Sequence, residues 1–76
     1  MRIERLVTMA NDIGSFFGAD PDQVAAAANI ASHLRRFWDP RMRRQIVEHL
    51  HQGGAGLAPI VKDAVALIAA ETPTHA

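Results

Sequence analysis

The sequence predicts an all-α protein, a small three- to four-helix bundle, and three observations carry that prediction. Apolar residues recur at three- and four-residue steps through most of the chain, strand-like alternation is absent, and Asp-Pro pairs and a glycine cluster punctuate the pattern where helices should start and stop. With 76 residues and no long linker, the whole of 1–76 is expected to form one helical domain.

The first helix is expected from about Ile3 to Phe17. Ile3, Leu6, Val7, Ala10, Ile13 and Phe17 fall on one face, Met9 and Phe16 widen it, and Gly18 follows as a candidate left-handed stop. The second has a strong start signal: Asp20 can cap it, Pro21 sits where a missing amide does no harm, and Gln23 stands three residues after the cap. It should run to about Phe37, with Val24, Ala27, Ala28, Ala31 and Leu34 on its inner face. The same kind of start recurs at Asp39-Pro40, and because proline disfavours helical geometry in the residue before it, the chain should turn a sharp corner at Trp38–Asp39.

The third helix is expected over about Pro40 to Gln52, with Met42, Ile46, Val47 and Leu50 inward and Arg41, Arg43, Arg44 and Glu48 mostly outward. Gly53-Gly54-Ala55-Gly56 should end it. A fourth, shorter or terminal helix runs from about Pro59 to Glu71 on Ile60, Val61, Ala64, Val65, Leu67 and Ile68, stopped by Thr72-Pro73, with a frayed Thr-His-Ala end. The predicted core draws on Leu6, Ile13, Phe17, Val24, Ala28, Ala31, Leu34, Ile46, Leu50, Val61, Val65 and Ile68.

A domain this small buries only about 60% of its unfolded surface, so its stability is thin and a partner is a ready supplement. The absence of cysteine removes disulfides, thiolate chemistry and cysteine-based metal sites. No apolar stretch approaches the roughly 18 residues of a membrane span, and the basic N-terminus is not followed by an unbroken signal-peptide core, so a soluble, cytoplasmic protein with no membrane partner is expected. Net charge is zero, yet the segment from His33 to Arg44 holds five arginines against one aspartate.

That segment is the informative one. Tryptophan and arginine are enriched at binding hot spots, and Arg35-Arg36-Phe37-Trp38-Asp39-Pro40-Arg41-Met42-Arg43-Arg44 crowds them onto a corner that cannot bury them all. The expected partner-binding residues are therefore His33, Arg35, Arg36, Phe37, Trp38, Asp39, Arg41, Met42, Arg43 and Arg44. At least one aromatic should be buried, and Asp39 could divide itself between capping and an arginine. The structural alternative is that the aromatics belong to the core and the arginines form a solvated face.

Other motifs carry less. The glycine cluster lacks the preceding strand and the lysine of a phosphate-binding loop. His49 and His51 are two apart and so point about 200° away from one another on a helix, which prevents joint chelation; they fit a helix C-terminus instead. His33 suits a buried, hydrogen-bonded role or an interface. No nucleophilic triad or deep pocket is suggested, and Asp20 and Asp22 are explained by capping, so a chain with no catalytic or metal residues is expected.

Three stretches also carry a family pattern. Met9-Ala10-Asn11-Asp12-Ile13-Gly14-Ser15-Phe16-Phe17, then His33-Leu34 followed by Phe37-Trp38-Asp39-Pro40-Arg41-Met42-Arg43, then Gly53-Gly54-Ala55-Gly56-Leu57-Ala58-Pro59 together resemble the delta subunit of soluble, NAD-dependent, molybdenum- or tungsten-containing formate dehydrogenases. The resemblance covers nearly the whole chain. It implies a small accessory subunit or assembly factor acting with a larger enzyme whose catalytic alpha subunit is the partner. It further implies that the enzyme, not this chain, carries bis-molybdopterin guanine dinucleotide with Mo or W, iron–sulfur clusters, FMN and NAD. The supported roles would be assembly, cofactor loading or stability of the enzyme.

Two alternatives stand beside it. One is a small nucleic-acid-binding module using the Arg35–Arg44 patch, disfavoured by neutrality, by the lack of lysine in the patch and by the lack of base-reading polar residues beside it. The other is a structural homodimer formed through exposed apolar area.

Overall fold

The structure, a computed structural model, describes residues 2–71. Four helices follow in order: α1 (Ile3–Phe17), α2 (Gln23–Phe37), α3 (Pro40–His51) and α4 (Pro59–Glu71). The expected Thr72-Pro73 stop and frayed end lie outside the described residues. The fourth helix is not peripheral. It packs against all three others, and its Val61, Ala64, Val65 and Ile68 join Leu6, Ala10, Ile30, Ala31, Leu34, Trp38, Ile46 and Leu57 in one buried cluster.

Capping differs from the sequence expectation at α2. Asp22, not Asp20, is the N-cap and accepts from the Ala25 amide at 3.1 Å. Asp20 instead accepts from the Asp22 amide at 2.9 Å, while the Gln23 side chain folds back to donate to the carbonyls of Asp20 at 2.8 Å and Gly18 at 3.2 Å. Both aspartates are chemically suited to cap, and the turn that Asp20 closes decides which of them does. At α3 the expectation holds: Asp39 accepts from the Met42 amide at 3.0 Å and Pro40 occupies the first turn.

The helix ends also differ in kind. Gly18 is right-handed, with φ −67°, so no left-handed stop ends α1. After α3, Gly53 and Gly54 do take positive φ, 113° and 65°, and the Gly54 amide donates back to the His49 carbonyl at 2.9 Å. That turn meets the favoured glycine geometry past a helix C-terminus. The loop it opens is held from α1: the Asn11 amide group donates to the Gly56 carbonyl at 2.8 Å, and its oxygen accepts from the Ala58 amide at 3.0 Å.

The buried face of α2 keeps Ala27, Ala31 and Leu34 of the expected set but is turned away from Val24 and Ala28. Ala26, Ala27, Ile30, Ala31 and Leu34 are buried, whereas Ala28 is exposed and Val24 is 82% exposed. The reason lies in the row each residue begins. Val24 and Ala28 lie on the row that leads at helical spacing to Arg35, a poor core residue, while Ala27, Ile30, Ala31 and Leu34 lead to Trp38. Phe16 likewise leaves the α1 core face and is 76% exposed, and Leu67 of α4 is exposed. Ile13, Phe17 and Leu50 are partly buried against the cluster.

Gly14 allows α1 and α4 to approach closely. A Cβ built there would lie 2.5 Å from Val61 Cγ2, well inside the 3.5–4.0 Å optimum for carbon atoms.

Candidate partner-binding surface

The corner between α2 and α3 is fastened from within. Trp38 is 5% exposed and belongs to the core. It is the last residue of the apolar row on α2, so the chain leaves that helix with its largest side chain already anchored. Asp39 then caps α3, and among the described residues it makes no ion pair with an arginine. Arg43, one turn into α3, reaches back across the corner, donating to the Trp38 carbonyl and to the Arg35 carbonyl at 3.2 Å. Those carbonyls belong to the end of α2, where no further helical amide follows to satisfy them. A guanidinium is a suitable donor there, since its positive charge also faces the negative end of the helix. Arg43 is thus half-buried and structural rather than outward.

Arg35 is also engaged. Its Nε and one terminal nitrogen donate to the two carboxylate oxygens of Glu71 at 2.6 and 2.5 Å, a bidentate pair that ties α2 to the end of α4. The carboxylate hydrogen bonds raise the Arg35 pKa above its ordinary value, and the same guanidinium holds the Glu71 carboxyl below its own. Both side chains are substantially exposed, so the pair is solvent-screened.

The remaining expected site residues face outward or line the edge. Arg36, Arg41 and Arg44 are exposed, and among the described residues none of them has an ion-pair partner. Phe37 is 70% exposed. Met42 is half-buried against the core. Arg41 and Arg44 line a shallow groove of about 650 Å³ between α3 and the start of α1, with Glu48 and His49 further along it. His33 is half-buried, with its ring 4.6 Å from that of Phe37 and 6.0 Å from that of Phe17.

The ten expected residues therefore separate into two groups. Arg35, Trp38, Asp39, Met42 and Arg43 build the corner; Arg36, Phe37, Arg41 and Arg44 are displayed by it, and His33 links it to α1. Sequence reasoning missed the α1 side of this surface. Phe16 and Phe17 meet edge to face at 5.0 Å between ring centres, and with Asp12, Ile13 and His33 they line a hollow of about 320 Å³. The available signal was the width of the apolar face on α1: two adjacent phenylalanines cannot both point into one core, because neighbouring helical residues diverge by about 100°.

His49 donates from its ring to the Ala55 carbonyl at 2.8 Å, which gives it a role in the loop after α3, and His51 is exposed. Among the described residues no three His, Cys, Asp or Glu side chains are grouped so as to hold a metal ion. No helix among them is long and apolar enough to cross a membrane.

Fold and surface together define a small helical chain that presents cations and phenylalanines from an internally fastened corner. Residues 5–65 match the family described as NADH-dependant formate dehydrogenase delta subunit FdsD, and the chain belongs to that family. The matched span includes all of the Phe-Trp-Asp-Pro-Arg-Met-Arg run at 37–43, so the resemblance read from the sequence is borne out. A search of curated proteins and a search of solved structures each found no match.

Proposed function

We propose that the chain is a non-catalytic accessory subunit of a cytoplasmic, NAD-dependent formate dehydrogenase. It binds the catalytic alpha subunit and supports assembly, cofactor loading or stability of the active enzyme. Family membership supports association with the formate dehydrogenase complex. The observation that carries the binding role is the division of labour at the corner: Arg43, Asp39 and Trp38 hold it rigid, while Arg36, Arg41 and Arg44 stand outward without an ion-pair partner among the described residues. Holding the corner rigid lowers the ordering cost of binding, and arginine's planar fork suits carboxylates on a partner.

In this reading the bis-molybdopterin guanine dinucleotide with its Mo or W, the iron–sulfur clusters and the FMN and NAD sites all belong to the larger subunits. This chain has no cysteine with which to ligate a cluster. Its described residues offer no metal-binding group either.

The test uses the co-expressed complex with a purification tag on the alpha subunit. Arg41→Ala with Arg44→Ala in this chain should lower both the amount of chain that co-purifies and the rate of formate-dependent NAD reduction. Unchanged recovery and unchanged activity would remove these two arginines from the binding surface.

A further inference from the structure

Two exposed phenylalanines on different helices, Phe16 of α1 and Phe37 of α2, are joined by a row of ring contacts. Phe16 meets Phe17, Phe17 meets His33, and His33 meets Phe37, at 5.0, 6.0 and 4.6 Å between ring centres. Ring rows of this kind ordinarily lie within a core, yet Phe16 and Phe37 are 76% and 70% exposed. Beside the row is the hollow of about 320 Å³ lined by Ile13, Phe16, Phe17 and His33 with Asp12. Asp12 lines it on the α1 side, and on α2 the exposed Asn29 and Arg36 lie one row further toward solvent than His33 by helical spacing.

We infer that this aromatic face is a second part of the interface with the larger enzyme subunit. The hollow receives an apolar anchor from an amphipathic segment of that subunit, which places a carboxylate against Arg36 and a basic side chain against Asp12. The inference rests on the proposed accessory role and extends it from the corner, which displays Arg36 and Phe37, across His33 to Phe16 and Phe17 of α1.

Charge and area both select this occupant. Arg36 is exposed and has no ion-pair partner among the described residues, so an acidic group is its complement. The other exposed apolar site, around Val24 and Leu67 between α2 and α4, borders Asp63 and Gln23 and carries no cation of its own. A second copy of this chain could also set Asp12 against Arg36, but the two exposed rings, at 76% and 70% exposure, offer on the order of 300 Å² when aromatic side chains bury 150–250 Å² each. A stable interface takes about 800 Å² from each partner. Arg36 and Phe37 adjoin the α2–α3 corner as well as this face, so a larger subunit that covers both surfaces reaches that area and a self-pair through the rings alone does not.

The experiment compares three variants in the co-expressed, alpha-tagged complex: Phe16→Ser with Phe37→Ser, Arg41→Ala with Arg44→Ala, and Val24→Ser with Leu67→Ser. Circular dichroism melting of each isolated chain accompanies the capture, and Arg36→Glu, an exposed charge reversal, serves as a second probe of the same face should the serine pair melt early. The expected result is at least a tenfold loss of affinity for the phenylalanine pair and for Arg36→Glu, with the Val24/Leu67 pair unchanged. If the phenylalanine pair and Arg36→Glu bind normally while the Arg41/Arg44 pair does not, the aromatic face is overturned and the accessory role stands. If all variants bind normally, the aromatic face is overturned together with the arginine corner; if the parent chain itself fails to co-purify with the tagged alpha subunit, the accessory role falls. If light scattering shows that the phenylalanine pair abolishes a dimer of the isolated chain while enzyme binding is retained, the occupant is a second copy and the inference is overturned.

Discussion

Gly14→Ala tests the packing of α1 against α4, and its size can be worked from one distance. The added Cβ would sit 2.5 Å from Val61 Cγ2, so one of the two must retreat by more than about 1 Å to restore ordinary contact. Val61 is fully buried and β-branched, with one strongly preferred rotamer in a helix, so it cannot swing aside and the helices must part. Overpacking of this kind costs about 1–3 kcal/mol. Against it stands the helix propensity gained when alanine replaces glycine, about 1 kcal/mol. The net expectation is a loss between zero and about 2 kcal/mol, and each kcal/mol lowers the melting temperature by roughly 4–8 °C in a domain of this size.

The pairing with Val61→Ala makes the reasoning sharper. Alone, that truncation should cost about 2–3 kcal/mol through lost burial and the space left behind. In the double variant the new methyl at position 14 enters the vacated volume, so the combined loss should fall short of the sum by about 1–3 kcal/mol. Urea unfolding followed by far-ultraviolet dichroism and by the fluorescence of the buried Trp38 gives all four corners of the cycle. Additivity within about 0.5 kcal/mol, or a Gly14→Ala protein that is simply about 1 kcal/mol more stable, would refute the close approach of the two helices.

Two further predictions concern the polar ties. Asn11→Ala removes the donor to the exposed Gly56 carbonyl and the acceptor from the part-buried Ala58 amide, and should cost about 0.5–1.5 kcal/mol, chiefly through the bond to Ala58, since water can replace the other; hydrogen exchange should quicken at Ala58, and an unchanged exchange rate there would remove Asn11 as the clasp of the loop. Glu71→Gln should matter only where the carboxylate is ionised. Because Arg35 lowers the Glu71 pKa in the folded state, the pair's contribution is present above the unfolded value and disappears as pH falls through the folded one. The melting-temperature difference between the parent protein and the variant should therefore be small at neutral pH, since the pair is solvent-screened, and close in acid; a difference that widened on acidification would contradict that sign.

Helix limits were almost wholly legible in the sequence because they are local. Asp39-Pro40 and the glycines at 53 and 54 act through their own backbone geometry, and the structure begins α3 and ends it within a residue of the expected limits. The cap of α2 was misread because Asp20 and Asp22 are both competent acceptors, and only the fold-back of Gln23 separates them. Its buried face was misread at Val24 and Ala28 for a related reason. Ala25, Ala26, Ala27 and Ala28 are almost interchangeable on hydrophobicity, so the rotation of the helix is set by where α1 and α4 lie.

The candidate site shows the same boundary. That a corner rich in arginine and aromatic residues exists follows from composition and from proline's effect on the residue before it. Which guanidinium is spent inside does not, because Arg35 pairs with a residue 36 positions away and Arg43 with carbonyls that become available only where α2 stops. The meeting of Phe17 with His33 likewise depends on two helices being brought side by side. By itself, then, the sequence determined an all-helical chain, its punctuation and its family, since these follow from residues near one another along the chain. Tertiary structure alone decided which of those residues face outward, because the choice depends on contacts between segments far apart in sequence.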